Sequence, residues 1–412
     1  MKNIIKIAFR NLKRSSRRTL LTAALITIGV IFVLVYSALS SSFKAYMVGE
    51  ITDSMMGHIQ IHKKGYIASV DNLPLDKNLN SKQIDKVLEL LDNNPYVESY
   101  TFRIKLGGMF SNYVSSTNIR LNAIDPETER KTLPLFETRI QESEPHLLKE
   151  GEMLIPELLA KGMNVKKGDT AVLVVNNQQG SVNGLNLLVA GIVEPISGPG
   201  GRDGYFHIED AKKILRITEA EVSEIVIRIK DVSKLQAAMK SMQSLALIKN
   251  QKEKPVFEIH AWTKLSPFYN IIKMLNLMDI SIKIILISIV LISILNVMIM
   301  SVYERIKEIG TIAAMGTPPS TIVKLFLTEG FMLGVFGAIV GSIISFIIVK
   351  VIDMIGISFA FGRQSELVLH PSLAMSDILS VSIIVIIIAL IASISPAFKA
   401  AKLNPVDALR QN

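Results

Sequence analysis

Four runs without a charged residue interrupt an otherwise mixed pattern of apolar and polar positions: 19–43, 284–303, 330–349 and 378–398. A hydrocarbon core needs roughly 20 consecutive apolar residues of helix, and each run is long enough. Their placement is uneven. The first is separated from the second by the 240 residues 44–283, whereas the last three lie close together. The pattern predicts a membrane protein with four transmembrane α-helices in a one-plus-three arrangement. A large extracytoplasmic α+β domain is expected between helices 1 and 2.

Inside the 240-residue stretch the periodicity changes from element to element. Asn80 before Ser81 has the form of a helix cap, followed by Ile84, Val87, Leu88 and Leu91 at helical spacing. Residues 97–104 and 118–124 alternate as strands do, the second ending at an Asp125-Pro126 turn. Further short strands are expected at 152–155, 170–175, 185–193, 223–230 and 256–260, with a short helix at 156–162 and a helix capped by Asp231. Residues 195–204 (PISGPGGRDG) read as a glycine-rich loop. Between Trp262 and Ile284 few breakers follow Pro267, and Lys273, Asp279 and Lys283 are too polar for lipid. This segment therefore reads as a stalk that prolongs the second membrane helix, and 40–56 as a similar extension of the first.

Charge sets the expected orientation. The chain carries a net +9, but Lys2, Lys6, Arg10, Lys13, Arg14, Arg17 and Arg18 supply seven of those charges before the first span. Residues 44–283 hold 30 basic and 29 acidic residues, so they offer no basic face, and nucleic acid is not an expected partner. Segments 1–18, 304–329 and 399–412 together carry 13 Lys and Arg in 58 residues, against 2 in 28 for 350–377. By the positive-inside rule both termini are expected in the cytoplasm and the large domain outside. Ile4, Ile5, Ala8, Phe9 and Leu12 recur at helical spacing opposite the basic residues, so 1–18 is expected to lie as an amphipathic helix on the inner leaflet. The alternative for the first run is a cleavable signal peptide exiting at Ser37-Ala38-Leu39-Ser40. Its 25 uncharged residues exceed the roughly 7–15 of a signal core. There is no cysteine, which excludes disulfides and thiolate chemistry and fits a bacterial protein.

The spans lack the chemistry of an ion-coupled carrier. None contains a Lys, Arg, His, Asp or Glu, and Asn296 is the most polar group inside them. No Gly-x4-Gly-Lys-Ser/Thr loop occurs, so the chain cradles no nucleotide by a P-loop of its own. His58 and His62 (GHIQIH) are the one close histidine pair, but no neighbouring carboxylate completes a metal set. No cofactor, metal or catalytic residue is expected. Gly330, Gly334, Gly337 and Gly341 line one face of the third span, as helix-packing glycines do.

Residues 303–330 read YERIKEIGTIAAMGTPPSTIVKLFLTEG: a dense charge run, small residues, then a Pro318-Pro319 break. Composition leaves an ordinary solvated loop and a helix inserted into a partner's groove about evenly matched. Here the sequence resembles the FtsX-like/MacB-like permeases, membrane subunits of mechanotransmitting ABC systems. The ERIKEIG…AAMG…LFLTEG pattern carries the likeness, together with the tail SISPAFKAAKLNPVDALRQN, the start IAFRNLKRSSRRTLLTAALITIGV and GEMLIPELLAKGMNVKKGDTAVLVV in the outer domain. The segment GHIQIHKKGY and the absence of a fused ATPase look most like lipoprotein-releasing, Lol-type permeases.

The resemblance implies that Glu304, Arg305, Lys307, Glu308, Ile309, Gly310 and Gly316 form a coupling helix that docks on an ABC ATPase subunit. ATP and Mg would be bound by that partner. It also implies a second permease copy or paralogue, residence in the bacterial inner membrane, and work done outside the lipid: release of lipoprotein cargo to a periplasmic carrier, MacB-like export, or FtsX-like signalling to a cell-wall hydrolase. A partner loop is expected within 182–204, at Pro195, Gly198, Pro199, Gly200 and Arg202. The resulting division is 1–18 basic helix, 19–43 first span, 44–265 outer domain, 266–303 stalk and second span, 304–329 coupling loop, 330–349 third span, 350–377 outer loop, 378–398 fourth span and 399–412 tail.

Overall fold

The computed structural model describes residues 2–14, 16–141, 148–194, 203–251, 253–356, 358–361 and 364–404. The chain divides into two compact units. One comprises 1–44, 272–358 and 368–412; the other comprises 45–271 and 359–367.

The chain opens with α1 (Lys2–Arg14). Thr19 Oγ1 donates to the Leu12 carbonyl at 2.8 Å, satisfying one of the carbonyls left open at the end of α1. Helix α2 (Ser16–Ile51) outruns the first uncharged stretch, and a π-helical turn (Thr52–Met56) continues it. Gly57 ends this turn at φ +66°, where a Cβ would stand 2.4 Å from Val226 Cγ1. Only glycine meets both demands.

The outer unit is a mixed sheet with helices laid against it. Strand β1 (Ile59–Lys63) leads to α3 (Ser81–Asp92), whose N-terminus is a full capping box: Gln83 N donates to Asn80 Oδ1, and Asn80 N to Gln83 Oε1. There follow β2 (Val97–Ser111), β3 (Ser116–Ile124), α4 (Pro126–Thr132), β4 (Ile140–Gln141), β5 (Glu152–Pro156), α5 (Glu157–Met163), β6 (Thr170–Asn176) and β7 (Val182–Val193). The chain continues through β8 (Asp203–His207), α6 (Ile208–Leu215), β9 (Glu224–Ile229), α7 (Leu235–Ser241), α8 (Gln243–Ala246), β10 (Phe257–Ala261) and α9 (Trp262–Leu265). The strand order is β10-β1-β9-β2-β3-β8-β5-β7-β4, with β6 bridging β2 and β7. The β3–β8 and β5–β7 pairs are parallel and the other ladders antiparallel. Ile104, Leu106, Phe110, Leu121, Met153 and Phe206 anchor its main core.

Three local expectations need correction. Asp125-Pro126 starts a helix instead of a turn: Asp125 Oδ1 accepts from Glu127 N at 3.1 Å, and Pro126 occupies the first helical position, where its missing N–H costs nothing. Asp231 caps only a 3-10 turn (Val232–Lys234) ahead of α7. Strands β1 and β8 and helix α6 were not expected. The glycine-rich loop is cut short, because β8 begins at Asp203. Pro195, Gly198, Pro199, Gly200 and Arg202 lie outside the described residues.

The membrane unit is completed by α10 (Phe268–Glu304), α11 (Ile306–Ala314), α12 (Pro319–Ile355) and α13 (Met375–Ala401), which carries Pro396 inside it; between α12 and α13 come the strands β11 (Ser358–Phe361) and β12 (Gln364–Val368), whose residues 359–367 group with the other unit. Thus α2, α10, α12 and α13 are long and apolar enough to cross a membrane. The 37 residues of α10 extend about 55 Å, well beyond a hydrocarbon core of about 30 Å. On that extension Lys44 of α2 meets Asn276 at 3.1 Å and Asp279 at 3.7 Å. The glycine face of α12 serves two neighbours. A Cβ on Gly330 or Gly334 would strike Ser393 or Ala389 of α13, whereas one on Gly337 or Gly341 would strike Ile26 or Val30 of α2. The segment 304–329 consists of the short helix α11, a break, and the first three turns of α12. Gly316 at φ +86° and Pro318-Pro319 make the break.

Candidate functional site

The charged residues around α11 form a chain running from the interior to the surface. Glu329, on α12, has only 3% of its side chain exposed and accepts from Arg305 Nη1 at 3.0 Å and from Asn11 Nδ2 of α1 at 2.8 Å. Arg305 Nε donates to Glu308 Oε2 at 3.1 Å, and Arg14 of α1 closes on Glu308 from outside. The Arg305 guanidinium also sits 6.0 Å from the Phe326 ring centroid, within cation–π reach. Exposure rises along the chain: 17% for Arg305, 34% for Glu308 and 75% for Arg14. Burial alone would weaken the charge on Arg305, but Glu329 and Glu308 outweigh it and raise its pKa above the ordinary arginine value. Burial likewise opposes ionisation of Glu308, and Arg305 and Arg14 overcome it, holding the carboxyl below the usual range.

The seven residues expected to face a partner separate into three groups. Glu304, Lys307 and Gly316 are exposed. Arg305 and Glu308 are engaged in the ionic chain. Ile309 and Gly310 are buried, Ile309 among the apolar residues that pack the helices together. The outward face of α11 is instead drawn by Glu304, Lys307, Thr311 and Met315, spaced three to four residues apart, and Met315 is 73% exposed. Met315 lies in the AAMG pattern but was not among the residues expected to face a partner, although an apolar side chain between Ala314 and the Gly316 break was its signal. Asn11 and Glu329 were missed too: Asn11 is the polar residue inside the apolar stripe of α1, and Glu329 read as the last charge of a loop.

A second ionic cluster lies inside the outer domain. Arg103 of β2 donates from Nε to Glu129 of α4 at 2.9 Å and from Nη1 to Glu224 of β9 at 3.2 Å. Lys105 Nζ reaches Glu224 at 2.8 Å and His62 Nε2 lies 3.4 Å from it. Burial works against the charge on Glu224, yet Lys105, His62 and Arg103 together push its pKa well below the carboxylate range. The cluster also grips the end of the first long helix. Arg103 Nη1 donates to the Met55 carbonyl at 2.8 Å, and Arg139 Nη1 to that of Ser54 at 3.3 Å. His58 is used internally, its Nδ1 accepting from Ile229 N at 3.1 Å. Among the described residues no group of three His, Cys, Asp or Glu is placed to hold a metal ion.

Comparison with known proteins places this arrangement. The profile of the MacB-like periplasmic core domain matches residues 19–245, more than half of the chain, and that of the FtsX-like permease C-terminal region matches residues 280–405. The chain belongs to the FtsX-like, MacB-like permease family. It is therefore a membrane protein whose outer unit is a periplasmic-type core domain. ABC transporter permease YtrF of Bacillus subtilis is 32% identical over 117 residues, 27% of either chain. The macrolide export ATP-binding/permease protein MacB of Nitrobacter winogradskyi is 25% identical over 192 residues, 46% of this chain and 27% of that protein. Lipoprotein-releasing system transmembrane protein LolC of Xylella fastidiosa is 22% identical over 309 residues, 70% of this chain and 72% of that protein. The chain thus spans about a quarter of the length of the first two relatives.

Proposed function

We propose that this chain is the membrane subunit of an ABC transporter whose nucleotide is bound by a separate ATPase chain, and that α11 is the element the ATPase moves. The observation that carries this reading is the placement of α11. It is a short helix between two long membrane helices, with an outward face of Lys307, Thr311 and Met315. Its inward residues Arg305 and Ile309 are locked to α12 and to the helix core. A push on the outward face would be passed to α12 and α1 through Glu329, which bonds to both Arg305 and Asn11. ATP and Mg belong to the partner in this reading, because the P-loop pattern does not occur among these residues. With α11 on the cytoplasmic side, α2 and α10 would carry the displacement to the outer domain. Their uncharged spans suit work done outside the lipid better than passage of a polar solute through it.

Within this class, lipoprotein release to a periplasmic carrier is the reading favoured by the LolC likeness, which runs over 70% of the chain. Export of a peptide or small molecule is favoured by the MacB-like core domain. In either reading the permease pairs with a second copy or a paralogue. Purification of cross-linked complexes from native membranes tests the class. Recovery of a P-loop ATPase of about 25 kDa, the size of a single domain, is expected. Recovery of no nucleotide-binding protein would sink the reading.

A further inference from the structure

Helices α1, α2 and α12 enclose an apolar groove of about 1100 Å³ in the membrane unit. Phe9 of α1, Leu20 of α2 and Phe331 and Phe336 of α12 form its walls, all of them at least 45% exposed. Lys13 and Lys324 line the same groove. Both are exposed, and neither has a carboxylate partner among the described residues. Its α1 wall is tied down by the Asn11–Glu329 hydrogen bond and by the Thr19–Leu12 bond at the α1–α2 turn.

We propose that this groove is a binding site for an anionic phospholipid, with acyl chains against the aromatic walls and a headgroup phosphate between Lys13 and Lys324. Three observations select this occupant. The walls run on into an exposed apolar surface of α12 beyond the groove, Ile343 at 56% and Ile347 at 55% exposure, so whatever fills the groove comes from the bilayer. The two lysines stand at the α1 end of the span, where headgroups lie, and basic pockets between membrane helices favour anionic headgroups. Lys6, Arg10 and Arg17 add positive charge on and beside α1. A second copy of the chain is disfavoured at this level because its own α1 would bring the same charge. A lipid seated here would contact α1 and α12 together, the two helices joined through Glu329, and so would bias the element that α11 is locked to.

The test uses the full chain in vesicles of equal phosphatidylglycerol and phosphatidylcholine, with one or the other lipid brominated. Phe331→Trp places a reporter in the groove and Met300→Trp one on exposed α10 near the same end of its span, the signal of the single native Trp262 being subtracted. Brominated phosphatidylglycerol is expected to quench the Phe331→Trp reporter with a preference of roughly fivefold per lysine over phosphatidylcholine, and the Met300→Trp reporter with almost none. Lys13→Gln with Lys324→Gln should remove the preference while quenching by phosphatidylcholine remains, and Lys13→Arg with Lys324→Arg should keep it. Equal quenching by the two lipids in the groove, or a preference that survives loss of both lysines, would overturn the proposal. So would quenching by neither lipid, the result of a protein helix seated in the groove.

Discussion

The two ionic clusters are made of similar groups and differ in how they meet water. Arg103, Glu129 and Glu224 are each at most 3% exposed, the network closes on them and on the carbonyl of Met55, and its most exposed member, Lys105, is only 19% exposed. Around Arg305 the chain starts at a buried Glu329 and ends at an Arg14 that is 75% exposed. A closed, dry network cannot be reorganised without stranding a charge, so it behaves as a fixed joint between the sheet and the end of the first long helix. An open-ended network can exchange its outer member for a partner's side chain at little cost. The first suits transmission of a displacement and the second suits its reception.

The contrast breaks most easily at Arg103. Arg103→Ala leaves Glu129 buried without its cation and Glu224 with Lys105 alone, and is expected to cost about 3–5 kcal/mol, seen as a large fall in the unfolding midpoint of the outer domain in the full chain. An effect as small as that of a surface substitution would remove the distinction. Acid gives a smaller, graded probe. Because the folded pKa of Glu224 lies below the unfolded value of about 4.3, its contribution is complete above that pH and is lost as pH falls toward the folded pKa. The unfolding midpoint should therefore rise with pH in the window below about 4.3, and Glu224→Gln should flatten that rise. Smallest of all is Arg14→Ala, which removes the exposed end of the open chain and should change stability by no more than about 0.5 kcal/mol. A shift of several kcal/mol would mean that this cluster is a closed joint as well.

The membrane helices were legible because an uncharged run of roughly 20 residues is what a hydrocarbon core demands and what a helix in water seldom tolerates. The extension of α10 was legible because no Gly or Pro occurs between Pro267 and Ile284. The alternating outer strands were legible where one face is covered and the other is more open, as in β6. Strand β1 was not legible: it buries Gln60 and His62 beside Ile59 and Ile61, so alternation disappears. Arg103, Glu129 and Glu224 come from three distant elements, and nothing local in the sequence marks them as partners. The same holds for Asn11, Arg305 and Glu329. The motif around α11 pointed to the right segment but not to its outward face, because helical phase decides which of its residues are buried.

The outward face of α11 is proposed to receive the ATPase. Met315→Asp changes that face at a 73% exposed position and leaves the Arg305–Glu329 pair untouched. In the complex purified with its ATPase, the permease-stimulated ATP hydrolysis of this variant should fall at least about tenfold, the rate equivalent of roughly 1.4 kcal/mol, with the unfolding midpoint of the permease unchanged. Wild-type stimulation by the Met315→Asp complex would contradict the account.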